Sequence, residues 1–360
     1  MSGTSLDGLD LCAARLQVQD GKWNYELVAA QCFAYSQPWL TQLSEAFVKR
    51  PDELQSLDAA FGALIGARIN EFCESEKLNP DLIASHGHTV HHKPSQGYTR
   101  QIGSPRAIAA TTGLPVVADF RSLDVTLGGE GAPLVPIADR LLFGEYAQCV
   151  NLGGIFNLSY ERAAERIAYD VTVGNQLLNR LANRLGGEYD QDGAWARSGT
   201  PDAAVVQSFR ALRFHALPAP KSLGREWFES SVWPLFRELA ASSPRDALAT
   251  ATHAIAEQLA VAVSRGPAGK VLLTGGGARN TYLVSLVRRQ LVTTHQLALP
   301  PTVANGISLI DYKEALAFAL LGALRVRGEV NTLRSVTGAQ RDSCGGELVL
   351  PKVSSGSGGC

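Results

Sequence analysis

The chain has 360 residues, with 33 Lys and Arg against 34 Asp and Glu, a formal net charge of −1, and 45% hydrophobic and 19% charged residues. That length exceeds one ordinary core and suits two lobes of roughly 150 to 200 residues each. The even charge balance excludes the electrostatic footprint of a nucleic-acid or anionic-membrane binder, and no apolar run is long enough for a transmembrane helix.

The N-terminus, Met1 to Gly8, is polar where a signal peptide needs a basic start and an apolar run. Six cysteines without paired short spacing read as reduced, buried thiols, and both features point to the cytoplasm. The opening Ser2-Gly3-Thr4-Ser5-Leu6-Asp7-Gly8 gathers glycines, hydroxyls and a carboxylate in one turn. Such a turn suits phosphate oxygens and, through Asp7 and water, a magnesium ion. Its spacing is not that of a P-loop. Strands are predicted at Leu9–Leu16 and Tyr25–Cys32, helices at Trp39–Val48 and Leu54–Glu74, and a strand at Leu82–Ser85.

His86-Gly87-His88-Thr89-Val90-His91-His92 crowds four imidazoles, but no carboxylate or cysteine stands at zinc-site spacing. A turn is expected there, either purely structural or offering one histidine to a polar substrate. A helix at Ser104–Thr112 and a strand at Leu114–Ala118 lead to Asp119-Phe120-Arg121-Ser122-Leu123-Asp124 and a polar loop over Leu127–Pro133. Asp and Arg at a strand end suit sugar hydroxyls and a ligand carboxylate, with a surface ion pair as the plain alternative.

Strands at Gln148–Leu152 and Phe156–Tyr160 flank Gly153-Gly154, a second candidate phosphate cradle. Ile167–Tyr169 runs into Asp170, a carboxylate at a strand end from which a general base reaches water; helix capping is the alternative. A Gly174-Asn175 turn opens a helix over Gly174–Leu185. After a helix at Ala247–Ser264, the strand Val271–Thr274 enters Gly275-Gly276-Gly277 and a helix over Asn280–Leu291, where three glycines clear space for a base or ribose. Glu314 falls in the first turn of a helix over Asp311–Val326, a place where acidic residues are common on dipole grounds alone. The Gly/Ser segment from Ser354 reads as a mobile tail. Strands and helices alternate throughout, the pattern of an α/β fold.

Taken in order, MSGTSLDGLD, SHGHTVHHKP, QIGSPRAIAATTGLPVVADF, GGEGAPLVP, VNLGGIFNLS, YDQDGAWARSGT, PKSLGREWF, LLTGGGARN, DYKEALAFAL and SVTGA resemble the anhydro-N-acetylmuramic acid kinase family over nearly the whole chain. That family lies within the actin-like sugar kinases. The resemblance implies a two-lobed, actin-like, ribonuclease-H-like duplicated α/β fold with a cleft between the lobes, lobe I at 1–118 plus 333–360 and lobe II at 119–332. It implies an enzyme that uses ATP and magnesium to open the 1,6-anhydro ring with water while phosphorylating the released 6-hydroxyl, in cell-wall (peptidoglycan) recycling.

On this resemblance Gly3, Thr4, Ser5, Leu6, Asp7, Gly8, Leu9 and Asp10 form the ATP-phosphate loop. Gly153, Gly154, Gly174 and Asn175 join the phosphate side, and Gly275, Gly276 and Gly277 the nucleoside side. Asp170 becomes the general base, Glu314 a partner of substrate or water, and His88, Asp119, Arg121, Asp124 and Glu130 the sugar side. The implied partners are ATP and an amino sugar, with neither nucleic acid nor membrane; a homodimer is left open.

Two departures stand out. Relatives carry Asp-Thr-Gly-Pro-Gly-Asn around the base, where this chain has Asp170-Val171-Thr172-Val173-Gly174-Asn175. They also carry a short strand ahead of the first Gly-rich loop, where Met1 stands here, and an exposed sheet edge is the expected consequence. Two further readings therefore stay open: a kinase of this fold acting on another amino sugar, and a degenerate sugar- or nucleotide-binding sensor.

Overall fold

The structure is a computed structural model that describes residues 1–2, 6, 8–300 and 306–352. Gly3, Thr4, Ser5 and Asp7 of the predicted phosphate loop, and the Gly/Ser tail, lie outside the described residues. In chain order the strands are β1 (Leu9–Gln19), β2 (Lys22–Phe33), β3 (Ile83–Ala84), β4 (His88–Lys93), β5 (Tyr98–Ile102), β6 (Val116–Ala118), β7 (Gln148–Leu152), β8 (Ile155–Arg162), β9 (Glu165–Val173), β10 (Gly269–Thr274), β11 (His295–Ala298) and β12 (Glu347–Val349). The chain forms two compact units, one from Met1–Leu142 and the chain from Tyr312 onward, the other from Phe143–Thr302 and Ser308–Asp311.

In the first unit β1 and β2 close on Asp20-Gly21, both at positive φ (52° and 73°), the two-residue turn whose twist matches that of paired strands. Leu54, Leu57, Phe61, Ile65, Ile69 and Phe72 recur at three- and four-residue spacing along the helix Pro51–Ser75 and bury with Leu9, Leu11 and Ile83. A Cβ at Gly62 would stand 2.6 Å from Ser104 O, and one at Gly66 2.7 Å from Thr111 Cβ, so these glycines let the helix Pro105–Thr112 pack closely. β3 and β6 pair in parallel, Ile83 opposite Val116, and β12 lies antiparallel on the far side of β6.

The histidine-rich run expected as a turn is instead β4, paired antiparallel with β5 from His88 opposite Ile102. Only its first residues turn, at Gly87 (φ 68°). Imidazoles and lysine carry little strand signal of their own, and pairing across the hairpin decides the conformation.

On its other side β1 meets Met1 and Ser2. Asp10 N donates to Met1 O (2.9 Å), the Met1 amine donates to Asp10 O (2.7 Å), and Ser2 bridges both Leu9 and His88. A small groove of about 20 Å³, lined by Leu9, Leu11, Ile65, Ile69 and Ile83, lies beside this contact.

The second unit holds one five-stranded sheet in the order β11-β10-β7-β8-β9, with β8 antiparallel to its neighbours and β7, β10 and β11 parallel. Counted from its own first strand the order is 5-4-1-2-3, the ribonuclease-H-like arrangement. The central strands are covered on both faces: Val150, Leu152, Val271 and Leu272 are fully buried. The helix Pro244–Arg265 covers one face through Leu248, Ala251, Ile255, Leu259 and Val263.

The expectation of buried thiols holds for Cys149; Cys12, Cys73 and Cys344 are half-buried and Cys32 is exposed. Cys32 lies on β2, an outer strand whose alternate side chains face solvent. Among the described residues no helix is long and apolar enough to cross a membrane.

Candidate active site

Three predicted turns come together in the second unit. β7 turns through Gly153-Gly154 into β8, and the helix Asn175–Asn183 starts on that turn. Gly174 N and Gln176 N donate to Gly154 O (2.9 and 3.1 Å), and Asn175 N donates to Gly153 O (3.0 Å). Asn175 Nδ2 donates to Leu152 O (3.0 Å), and its Oδ1 lies 3.1 Å from where a Cβ at Gly277 would stand. Gly275, at φ 78°, leads from β10 into a 3₁₀ turn over Gly276–Arg279.

The glycines divide into two kinds. A Cβ at Gly275 or Gly277 would strike Leu152 at 2.9 Å, so these two are required by packing. A Cβ at Gly154 would meet nothing within 4 Å, and one at Gly276 only Asn175 Nδ2 at 3.9 Å. Bare main chain at 154 and 276 thus borders open space, a surface that fits phosphate or ribose oxygens against backbone amides.

β9 does not stop at Tyr169 as its apolar run suggested; it continues to Val173, with Asp170 inside it. The ladder to β8 slips there. Phe156 faces Thr172 and Asn157 faces Asp170, which leaves Val171 as a bulge. Val171, Thr172 and Val173 are all buried, so the stretch that departs from the family pattern is core strand and not a phosphate-side loop.

Asp170 caps no helix, since Gly174 occupies the N-cap of the following one. Its carboxylate Oδ2 accepts from Leu223 N (2.8 Å) and Ser222 Oγ (3.2 Å). Burial holds the carboxyl above the ordinary aspartate range, against the pull of these two donors and of Lys221. A carboxylate with one oxygen bonded and a raised proton affinity is equipped to take a proton from water.

In the first unit Leu9 is buried, and a Cβ at Gly8 would stand 2.5 Å from Cys32 Sγ, so the side-chain positions at 8 and 9 serve packing. Leu6 sits at φ 60° and Asp10 is half-buried at the start of β1. Glu314 lies in the second turn of its helix, not the first, because that helix begins at Leu309. Its side chain keeps contact with solvent while densely surrounded by protein. Loss of water raises its carboxyl, opposed by the Met1 amine and Arg121 and aided by Asp10.

A polar cavity of about 130 Å³ lies at the C-terminal ends of the parallel strands β3 and β6, bordered by Ser85, His86, Arg100, Gln101, Asp119 and Ser122. Asp119 belongs to the predicted sugar side. It sits at φ 53°, its Oδ1 accepting from Ser122 Oγ (2.6 Å) and Ser122 N (3.3 Å). Arg121 stands behind the cavity, where its Nε donates to His86 Nε2 (3.1 Å) and an Nη donates to Gly131 O (2.8 Å). Desolvation, then the Arg121 charge, push His86 down to about 3, so it stays neutral. Arg100 donates to Asp58 Oδ2 (2.9 Å), and Asp58 Oδ1 accepts from Gly103 N (2.7 Å).

The other predicted sugar residues are placed differently. Asp124 is 1% exposed with both oxygens engaged, Oδ1 by Thr337 Oγ1 (2.7 Å) and Oδ2 by Gly131 N (2.8 Å), so it holds the 128–131 loop and offers no free oxygen to a ligand. His88 faces the interior, where its Nδ1 pairs with Ser2 Oγ (3.3 Å). Glu130 is exposed, and its N donates to Thr337 O (2.8 Å). Sequence reasoning did not single out Ser85, His86, Arg100, Gln101 or Ser122. For Ser85, His86 and Ser122 the available signal was their position shortly past the ends of parallel strands, where ligands of α/β sheets sit; Arg100 and Gln101 lie within β5 and carried no such signal.

The sequence profile of the family described as anhydro-N-acetylmuramic acid kinase matches residues 1–351. Curated proteins named anhydro-N-acetylmuramic acid kinase include one from Shewanella sediminis, 34% identical over 372 residues that cover 97% of this chain and 96% of that protein. One from a Cyanothece strain is 36% identical over 381 residues, covering 97% of each, and one from Vibrio cholerae is 34% identical over 369 residues, covering 98% and 97%. Among solved structures, an activator of 2-hydroxyisocaproyl-CoA dehydratase from Clostridium difficile with bound ADPNP aligns with 51% of this chain and 65% of its own, at 17% identity and TM-score 0.32, a partial likeness only. With a family match that spans the described residues of both units, and relatives alike in length and above 30% identity, the chain belongs to the anhydro-N-acetylmuramic acid kinase family.

Proposed function

We propose that this protein uses ATP and water to convert 1,6-anhydro-N-acetylmuramic acid to N-acetylmuramic acid 6-phosphate, as a cytoplasmic enzyme of peptidoglycan recycling. In this reading it is a two-lobed actin-like kinase whose lobes follow the two compact units, with 119–142 and the chain from Tyr312 in the first, in place of the expected division into 1–118 plus 333–360 and 119–332. Asp170 carries the reading: its Oδ2 is bonded, its Oδ1 has no partner among the described residues, and burial raises its proton affinity.

Asp170 Oδ1 takes a proton from water as the water oxygen bonds to the anomeric carbon. The bond from that carbon to O6 breaks, O6 bonds to the γ-phosphorus, and ADP leaves. The turns at Gly153-Gly154, Gly174-Asn175 and Gly275–Gly277 hold the nucleotide through main-chain amides. Asp119, Arg100 and Ser122, around the cavity in the first unit, suit the hydroxyls and carboxylate of a muramic acid. Glu314, with its raised carboxyl, is the second acid of the reaction, a partner of the sugar or the water.

Among the described residues no group of three His, Cys, Asp or Glu side chains is placed to hold a metal. A magnesium ion that keeps most of its waters needs only one or two carboxylates beside the phosphates, a demand that half-buried Asp10 can meet; Asp7, the carboxylate expected there from the sequence, lies outside the described residues. Bound magnesium supplies charge that offsets the phosphates. The reading with another amino sugar loses its motive, because Val171-Thr172-Val173 is buried strand with no surface to offer a substrate.

The test is mass-spectrometric product analysis after incubation with the anhydro sugar, ATP and magnesium in water enriched in heavy oxygen. A 6-phosphorylated muramic acid carrying one heavy oxygen at the anomeric position is expected. Unchanged sugar beside ADP release on a different amino sugar would replace this reading.

The glycine cradle yields a separate expectation. Gly154→Ala and Gly276→Ala meet no protein atom that must move, so the melting temperature should stay within about 2 °C, the change expected of a substitution without a named destabilising mechanism. Each added methyl would occupy space assigned to nucleotide and should raise KM for ATP about 10-fold or more, roughly 1.4 kcal/mol. An unchanged KM in both variants would remove this loop pair from the nucleotide site.

A further inference from the structure

Asp170 sits on β9, the edge strand of the second unit's sheet, and its open side is covered by three consecutive residues. Asp170 N donates to Lys221 O (3.0 Å), Leu223 N donates to Oδ2 (2.8 Å) and Ser222 Oγ donates to the same Oδ2 (3.2 Å). Backbone and side chain of one residue are thus gripped by one short segment.

That segment is itself anchored. Lys221 Nζ donates to Phe214 O (3.1 Å) and stands over the Phe214 ring at 4.5 Å. His215 pairs with Thr172 Oγ1 (3.1 Å) and, through Nδ1, with Phe209 O (3.0 Å), while Leu223 is buried. The stretch from Phe209 to Leu223 is therefore fastened to β9 at Thr172 and at Asp170, on both sides of the Val171 bulge.

We infer that Ser222, acting with the Leu223 amide, is a positioning residue for Asp170: it holds Oδ2 and so turns Oδ1 toward the reacting water. The inference rests on the proposed role of Asp170 as the base. Ser222 touches neither substrate nor nucleotide in this account; it acts through Asp170. Two donors on one oxygen leave the carboxylate one rotamer in which Oδ1 is open, and a base held in one orientation spends no time misdirected. The donors also favour the ionised form, so losing one raises the carboxyl further.

Among the described residues, the titratable and charged groups that act on Asp170 and its clamp are the following. Lys221 draws the Asp170 carboxyl down; behind Thr172, burial pushes His215 down to about 4, and burial pushes Tyr169 up to about 12. Neither His215 nor Tyr169 changes charge near neutral pH, and the Arg265 charge lowers both Lys221 and Tyr169. On the acid side Asp170 and His215 both titrate, and a limb that moves when Ser222 loses its hydroxyl belongs to Asp170, because Ser222 bonds Asp170.

Ser222→Ala is the test, in the full-length enzyme with the anhydro sugar, ATP and magnesium. Ser222 is exposed, so the variant should fold and melt as the parent does. The expected result is a kcat lowered about 10-fold, KM for both substrates within about two-fold, and an acid limb of kcat/KM moved up by about half a pH unit to one unit, the scale of one lost hydrogen bond to a partly screened charge. The sign follows from the ionised base being the active form: a raised carboxyl loses activity at a higher pH. Ser222→Thr, which keeps a hydroxyl, should restore both limb and rate.

A rate lowered equally at every pH with the limb in place, or a parent-like Ser222→Ala, would overturn the inference while leaving the base assignment standing, provided Asp170→Asn in the same series is inactive. An active Asp170→Asn would overturn both together.

Discussion

Asp170→Asn is expected to lower kcat by about 100- to 10,000-fold, the range that general bases contribute, while ATP binding by calorimetry changes less than about two-fold. Asparagine is nearly isosteric and can still accept from Leu223 N and Ser222 Oγ through its amide oxygen, so the strand and its clamp stay in place. What it loses is the ability to take a proton from water. Separating kcat from nucleotide affinity is what distinguishes chemistry from a folding defect.

The pH dependence follows from the same group. Burial raises the Asp170 carboxyl above its ordinary range, and the ionised form is required. Activity should be complete above that raised value and fall about 10-fold per pH unit below it, since one proton is involved. A parent profile flat down to the ordinary aspartate range, or an Asp170→Asn variant retaining a tenth of the rate, would remove Asp170 from the role.

Lys313→Met carries the other large effect, on stability. Lys313 Nζ lies 2.6 Å from Asp139 Oδ1, and the two side chains are 7% and 6% exposed. The pair joins the helix Pro136–Leu142 to the helix Leu309–Arg327, within the first unit and one residue before Glu314. Removing Lys313 withdraws a buried positive charge from beside a buried carboxylate, a cost of about 3–5 kcal/mol. For a unit of this size that corresponds to a fall of roughly 10 °C in melting temperature.

Replacing both partners with apolar residues, Asp139→Leu with Lys313→Met, should recover most of that loss, because neither charge then needs solvation. A single variant as stable as the parent would show that the pair is not buried in solution. The double variant also reports on Glu314: with stability restored, a remaining fall in kcat measures how far the ion pair sets the direction of that helix.

The α/β class was legible in the chain because it depends on local period. Leu54 to Phe72 repeat every three or four residues and make a helix face, while Cys149-Val150 with Leu152 and the run Val271-Leu272-Leu273 each lead into glycines and make buried strands. Glycines at 153, 154, 174 and 275–277 marked turns for a local reason too: Gly174, Gly275 and Gly277 stand where a Cβ would strike a neighbour, and Gly275 also takes a positive φ. Asp170 was legible as a carboxylate beside an apolar run.

The surroundings of these residues were not legible, because they come from far along the chain. Ser222 reaches Asp170 across 52 residues, and Thr337 reaches Asp124 across 213. Nothing local distinguishes Asp124, with both oxygens bonded inside the protein, from Asp119, exposed three residues before the next helix turn and bordering the cavity. His88 and His86 are two residues apart, yet one pairs with Ser2 inside the fold and the other faces the cavity beside Arg121.

The sequence by itself determined the long helices and the apolar strands, most of the glycine turns, and which residue types are present for phosphate, sugar and proton chemistry, since each of these is set within a few neighbouring residues. The tertiary structure alone decided which carboxylates keep a free oxygen, which imidazole stays neutral beside a cavity, and that β9 runs past Asp170 into the core. Those outcomes depend on desolvation and on hydrogen-bond partners that the chain brings together only when its distant segments pack.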